Sequence, residues 1–212
     1  MSARVVSYTQ IPDGKTLLEQ IAYVARVSNP ENQESNDTAE RLVKYLMKNK
    51  HWSPFEMVNV CLEVETTRDI ARQMLRHRSF SFQEFSQRYA VVPGAYALRE
   101  ARMQDTKNRQ NSIEARDEVL VEEWNKCQEH IATVTRKAYD WAIEQGIAKE
   151  QARAVLPEGL TPTRMYVNGT IRSWIHYLEL RLGNGTQKEH REVAHACACA
   201  LREIFPCVPD AV

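Results

Sequence analysis

The sequence predicts an α/β (α+β) domain, a mainly antiparallel sheet flanked by helices, one of them long. Three observations carry that expectation. A few runs alternate apolar and polar residues, the clearest being Val58, Val60, Leu62 and Val64. Between them lie segments with apolar residues at helical spacing, the longest holding Leu120, Trp124, Cys127, Ile131, Val134, Ala138 and Trp141. Punctuating residues separate the two kinds, as at Pro12-Asp13-Gly14, Gly146 and Pro206. The 212 residues suit a single domain, 1–212, with ample material for a core.

A first strand is expected from Arg4 to Ile11, with Val6 and Tyr8 in alternation. Thr16 to Val27 reads as an amphipathic helix with Leu17, Ile21 and Val24 on one side. A polar connection from Asn29 leads to a capping box of Asp37 and Glu40. The helix behind it runs to about Lys50, with Leu42, Tyr45 and Leu46 inward. His51-Trp52-Ser53-Pro54-Phe55-Glu56 interrupts as a loop, and Met57 to Thr66 is the alternating strand. A helix follows from Asp69 to Arg76, with Thr67 as its N-cap. Its apolar face pairs Ile70 with Met74 and Ala71 with Leu75, and Asp69, Arg72, Gln73 and Arg76 make its polar face. After Arg78 the period becomes two. Phe80 and Phe82 share one side, then the apolar side switches to Phe85 and Tyr89, which suggests a bulge or turn near Gln83. Glu84, Ser86 and Arg88 point one way if the chain is extended there.

Ala95 to Asn111 is polar and irregular, and Ser112 is read as the cap of the long helix that Gly146 ends. The apolar residues of that helix repeat at alternating four and three. Packing on a sheet within the chain is preferred over packing along a partner subunit. Thr163 to Asn168 is read as a short connection closed by an Asn168-Gly169 turn. Thr170 to Leu182 is helical, burying Ile171, Trp174, Ile175 and Leu178 and grouping Arg172, His176 and Glu179. Asn184-Gly185 turns, Thr186 and Glu189 form a capping box, and a last helix carries Val193, Ala196, Ala200, Leu201 and Ile204.

Lys+Arg 28 against Asp+Glu 28 gives a net charge of 0, so a general nucleic-acid binder, which carries a basic excess, is not expected. No apolar run approaches the roughly 18 residues of a membrane helix, and the start lacks the apolar core of a signal peptide. The expected location is the cytoplasm, or a host's cytoplasm if the source is viral. Cys61, Cys127, Cys197, Cys199 and Cys207 are an odd number in a chain of this size, which argues against a disulfide framework. His195 and Cys199 could share an ion at i,i+4, but no C-x-x-C pair supports them, so small inert thiols and no metal are expected.

Chemistry concentrates in Arg76-His77-Arg78-Ser79-Phe80-Ser81-Phe82-Gln83-Glu84-Phe85-Ser86-Gln87-Arg88-Tyr89. Guanidinium groups this close repel unless something anionic lies between them, and their forks fit phosphate or carboxylate. The run resembles R-H-R-x-x-S-x-N-E-x-S-x-R-Y, the signature of the flavin-dependent thymidylate synthases, with Gln83 in place of the usual Asn. His51 to Glu56 is similar to the family's H-x-[ST]-P-F-E, and Ala152 to Pro157 to its A-R-x-[VL]-L-P. Thr170 to His176 resembles N-x-R-x-x-x-[NH], with Thr170 in place of Asn.

The resemblance implies a homotetramer with active sites between subunits. It implies reductive methylation of dUMP to dTMP, with methylenetetrahydrofolate giving the carbon and FAD, reduced by NADPH, giving the hydride. His51, Ser53, Arg76, His77, Arg78, Glu84, Thr170, Arg172 and His176 would then hold FAD. Gln73, Arg76, Glu84, Ser86, Gln87, Arg88, Arg153 and Arg181 would hold dUMP, with Arg153 reaching the phosphate of a neighbouring subunit's nucleotide. Arg181 would be catalytic, facing the pyrimidine. No Gly-rich dinucleotide loop is present, so FAD is not expected in the Rossmann manner. A related methylase acting on UMP or a modified pyrimidine is the alternative. A cysteine-nucleophile methyltransferase, a nucleic-acid-binding module and a structural oligomer are the rivals, and a yellow protein with flavin absorbance would favour the first reading over all three.

Overall fold

A computed structural model of the chain describes residues 1–209. The chain runs β1 (Ser2–Tyr8), α1 (Leu17–Ala25), α2 (Ala39–Lys48), β2 (Asn59–Thr67), α3 (Arg68–Met74), β3 (Ser81–Glu84), β4 (Arg102–Gln104), β5 (Ser112–Glu114), α4 (Glu118–Glu144), α5 (Lys149–Ala152), β6 (Pro162–Thr170), α6 (Ile171–Arg181) and α7 (Lys188–Arg202). Short 3-10 turns lie at Ser53–Met57 and Arg153–Val155. The main sheet has the order β1-β2-β6-β3 and every pair is antiparallel, as expected; β4 and β5 form a separate hairpin.

The sheet is apolar on one face. Val60, Leu62 and Val64 of β2 and Met165 and Val167 of β6 are fully buried in one core shared with α1, α2, α3, α6 and α7. The other face is polar, where Arg4 Nε donates to Glu63 Oε1 at 2.7 Å and Ser2 Oγ to Glu65 Oε2 at 3.0 Å.

The largest departure from the sequence reading is β6. Thr163 to Asn168 is no connection, and Asn168-Gly169 is no turn. Both belong to a nine-residue strand hydrogen-bonded on either side, with Thr163, Met165, Val167 and Gly169 buried in alternation. Gly169 is there for close approach: a Cβ would stand 2.3 Å from the Phe80 ring. A tertiary contact, invisible in the local pattern, overrides the turn propensity of Asn-Gly.

Several caps also differ. The expected Asp37–Glu40 box is absent; α2 starts after Thr38, whose hydroxyl accepts from Arg26. Its buried face is Ala39, Val43 and Leu46, while Tyr45 lies outside, edge-on to His51. Ser112 lies in β5, and Asp117 caps α4 by accepting from the N–H groups of Val119 and Leu120. Thr186 and Glu189 make no box: Thr186 Oγ1 donates to the Leu180 carbonyl at 3.1 Å, and Glu189 pairs with Arg102. Thr67 does sit at the N-cap of α3, but its hydroxyl donates to Asp69 rather than accepting from the helix, and Leu75 is exposed. No bulge interrupts β3, whose register with β6 is continuous from Ser81 to Glu84.

The long helix overturns the intramolecular reading. Its heptad stripe faces outward, with Trp124, Ile131 and Trp141 exposed to 42%, 45% and 58%. The inward side is Gln128, Tyr139 and Ala142, part of a second, small core with Val92, Ala152 and Leu156. Gly146, at φ +75°, ends the helix as expected. Among the described residues no helix is long and apolar enough to cross a membrane.

Candidate active site

The Arg-rich run folds into a tight turn between α3 and β3. The His77 N–H donates to the Met74 carbonyl at 2.9 Å, and the Phe80 N–H to the His77 carbonyl at 3.2 Å. The Phe80 ring pins this turn to α6, 4.6 Å centroid to centroid from Trp174 and 6.0 Å from Tyr177. The last turn of α6 brings Arg181 to the same place, where its Nε donates to His77 Nε2 at 3.0 Å. A bare Nε2 requires a neutral imidazole with its proton on Nδ1. Burial, then the charge of Arg181, pushes His77 down to about 4, so it is neutral at pH 7. Among the described residues Arg76, Arg78 and Arg181 have no carboxylate partner.

Behind this pair lies a polar string that sequence reasoning missed. Tyr177, between Trp174 and Leu178 on the buried face of α6, contacts His190 of α7, and His190 contacts Gln73 of α3. Gln73 Nε2 donates to Gln187 Oε1 at 2.8 Å, and Gln187 Nε2 to Glu189 Oε2 at 2.9 Å. His190 is fully buried and pushed down to about 3, chiefly by that burial. The available signal was its position one helical turn before Val193 on the apolar side of α7.

On another side of α6 opens a cavity of about 760 Å³, lined by Lys50, Trp52, Glu56, Ser79, Thr170, Arg172, Ser173, His176 and Glu179. The expected grouping of Arg172, His176 and Glu179 is therefore observed. Arg172 is held by an ion pair to Glu56. Thr170 has a structural task here: its hydroxyl caps α6 by accepting from the Ser173 N–H at 3.2 Å. His51 and Ser53 are exposed and interleave with the lining residues Lys50, Trp52 and Glu56.

A second cavity of about 390 Å³ is lined by Arg68, Arg72, Gln87, Glu150, Arg153, Ala154, Leu156, Glu158 and Thr161. Gln87 and Arg153 of one chain thus line the same cavity. Arg88 Nε donates to Glu150 Oε2 at 3.0 Å. Glu84, Ser86 and Arg88 do not align along an extended strand, because the chain leaves β3 at Glu84. Ser86 heads a turn that accepts the N–H groups of Tyr89 and Ala90. Glu84 Oε1 accepts from Arg68 and from Thr163, each at 2.9 Å, leaving Oε2 available.

Within one chain, then, the candidate residues occupy three places: the His77–Arg181 turn, the Trp52–Arg172 cavity and the Gln87–Arg153 cavity. Clefts rich in guanidinium groups, set around a one-sided antiparallel sheet, define an α+β protein built to hold anionic ligands. The sequence matches the family described as thymidylate synthase complementing protein over residues 4–207. It is 50% identical over 214 residues to a probable flavin-dependent thymidylate synthase of Paramecium bursaria Chlorella virus 1, covering 100% of this chain and 99% of the relative. It is 46% identical over 217 residues to the flavin-dependent thymidylate synthase of Synechocystis sp., with the same coverage of each. The fold is similar to a UMP/dUMP methylase, PolB, from Streptomyces cacaoi, solved with 5-Br dUMP, at a TM-score of 0.82 and 26% identity over 97% of this chain and 91% of that one. The chain belongs to the flavin-dependent thymidylate synthase family, whose members are methyltransferases.

Proposed function

We propose that the protein converts dUMP to dTMP by reductive methylation, with methylenetetrahydrofolate as carbon donor and FAD, reduced by NADPH, as hydride carrier. The observation that carries the reading is Arg181 itself: a guanidinium that has no carboxylate partner among the described residues, held at the turn between α3 and β3 by a neutral histidine. Uracil C5 becomes nucleophilic when electron density is pushed into the ring. A thiol adding to the ring is the usual device, and burial raises both buried thiols here, Cys197 to about 12. A guanidinium against the ring edge does the same work differently. It stabilises negative charge left by polarising the N3 proton and cannot itself lose a proton. His77 keeps Arg181 aimed, because its lone pair fixes Nε and leaves the outer nitrogens for the substrate.

The donor set fits FAD. Arg76 and Arg78 offer forks without carboxylates for a pyrophosphate, and the Trp52–Arg172–His176 cavity offers an aromatic wall with polar groups. His51, Ser53, Arg76, His77, Arg78, Glu84, Thr170, Arg172 and His176 would hold the cofactor, which when bound supplies the hydride. Gln73, Arg76, Glu84, Ser86, Gln87, Arg88 and Arg153 would hold the nucleotide, the last three beside the smaller cavity.

A homotetramer with shared active sites is part of the proposal. Three features support it: the candidate residues divide among separate places in one chain, the α4 stripe is uncovered, and the surface is large. The accessible area is 12835 Å² for 24.5 kDa, against about 10,000 Å² for a folded monomer of that mass. The likeness to PolB, a UMP/dUMP methylase, supports a second reading with UMP or a modified pyrimidine as substrate.

The test is Arg181→Ala. The purified variant should stay yellow and still oxidise NADPH, yet lose dTMP formation by about a hundredfold or more. Assays with dUMP and UMP side by side decide between the two substrates. An Arg181→Ala protein that methylates at the wild-type rate would leave the guanidinium with only a helix-end role.

A further inference from the structure

The string from Tyr177 to Glu189 admits one arrangement of protons. At its far end Glu189 is paired with Arg102; burial pushes its carboxyl up, but that partner and its hydrogen bonds outweigh the burial and hold it below the usual carboxylate range, so it is ionised and can only accept. Gln187 must therefore turn its nitrogen toward Glu189 and its oxygen toward Gln73. Gln73 must in turn direct its nitrogen at that oxygen, 2.8 Å away, which leaves Oε1 toward His190. His190 then carries its proton on Nδ1, donating to Gln73 Oε1 at 3.0 Å, and its bare Nε2 accepts from the Tyr177 hydroxyl at 3.2 Å. No partner in the string can flip without facing a like group.

The consequence falls on Gln73. A carboxamide has two N–H donors and one oxygen, and free in a cleft it presents either end. Here the oxygen is tied to the interior. One N–H goes to Gln187, and the second is left for the open side of this half-exposed residue. A phosphate or carbonyl oxygen needs a donor, and the amide oxygen in its place would repel it.

We propose that His190 is a positioning residue for the nucleotide, holding the Gln73 carboxamide donor-outward so that it binds an oxygen of the substrate. The inference rests on the reading of Gln73 as a dUMP ligand. It adds a residue that touches neither substrate nor cofactor. Burial keeps the imidazole neutral, which suits a group that must donate at one nitrogen and accept at the other.

The experiment measures dUMP affinity by calorimetry on the flavin-loaded enzyme, together with KM and kcat. It compares wild type with His190→Asn, His190→Gln and His190→Leu, each with and without Gln73→Ala. Asn places its amide nitrogen near Nδ1, so it keeps the donor to Gln73. Gln places its nitrogen near Nε2, on the Tyr177 side, and loses that donor. His190→Asn should keep KM within about twofold, whereas His190→Gln and His190→Leu should raise KM and Kd about tenfold with a smaller change in kcat. In the Gln73→Ala background the His190 changes should leave Kd unaltered. If His190→Leu fails to fold, the Asn and Gln variants decide alone. Equal KM for those two, or the same loss with and without Gln73, overturns the proposal while leaving the proposed function standing. A wild-type enzyme that binds flavin but not dUMP overturns both.

Discussion

The body of the molecule and the excursion between β3 and β6 use the same apolar periodicity and treat it in opposite ways. In the body, Ile171, Trp174, Ile175 and Leu178 of α6 are buried against the sheet, so the stripe is consumed inside one chain. In the excursion, the stripe of α4 is largely outside, and the helix is held by a few anchors, Trp124 at the stripe and Gln128 and Tyr139 on its other side. Trp124 Nε1 donates to the Arg99 carbonyl at 2.9 Å, Gln128 exchanges two hydrogen bonds with the Arg99 backbone, and the Tyr139 hydroxyl accepts from the Val92 N–H at 3.0 Å. A heptad pattern reports which side of a helix is apolar. It does not report whether the cover comes from the same chain.

Breaking the uncovered side should have the largest effect. Ile131→Glu with Val134→Glu puts two charges on the α4 stripe without touching either core or the hydrogen bonds that anchor the helix. Light scattering should show single chains, circular dichroism should show the helices intact, and dTMP formation should fall about a hundredfold or more, since one chain does not unite the candidate residues. A doubly substituted protein that stays assembled and active would return α4 to the status of a solvent-facing helix.

A smaller effect is expected where the body is tightest. At Gly169 an added methyl meets Phe80, and that ring is boxed by Phe82, Trp174 and Tyr177. Gly169→Ala should cost about 2 kcal/mol, which lowers the melting midpoint by roughly 5 °C. Gly159, within the excursion, has nothing within 4 Å of its would-be Cβ and no positive φ, so Gly159→Ala should move the midpoint by about 1 °C at most. Equal shifts at the two sites would contradict the close-packing account of Gly169.

The same contrast explains what could be read from the sequence. Val58, Val60, Leu62 and Val64 announced β2 because a one-sided sheet enforces strict alternation. Arg172, His176 and Glu179 grouped as expected because helical spacing alone places them. β6 was missed because Asn168-Gly169 is a strong local turn signal, while the reason for the glycine is a ring 89 residues earlier in the chain. The Thr186–Glu189 box failed because those side chains found better partners in Leu180 and Arg102. His190 and Tyr177 carried no motif: each looks like one more residue on an apolar face until the tertiary fold brings Gln73 within reach.

The smallest effect, and the cleanest separation of the two regions, comes from pH. The body holds two imidazoles that burial pushes down from 6.5, His77 to about 4 and His190 to about 3. The excursion's histidine, His130, is exposed. Between the folded and unfolded values the unfolded chain binds more protons, so stability rises with pH in that window. The contribution is fully present above 6.5 and is lost as pH falls toward 4 and then 3. At pH 6 the fully buried His190 alone should cost about 1 kcal/mol relative to pH 7.5, and the half-buried His77 adds the same sign at a discount for solvent. Carboxylates held low, such as Glu189, titrate below the usual carboxylate range and leave the interval between pH 7.5 and 6.0 clean. Hydrogen exchange at pH 7.5 and 6.0, corrected for the intrinsic rate, should therefore show the amides of α6 and α7 losing protection while those of α4 keep theirs. His190→Asn should remove most of that loss, because an amide does not titrate. Protection lost equally from α4, or a slope unchanged in His190→Asn, would mean that the acid sensitivity lies elsewhere.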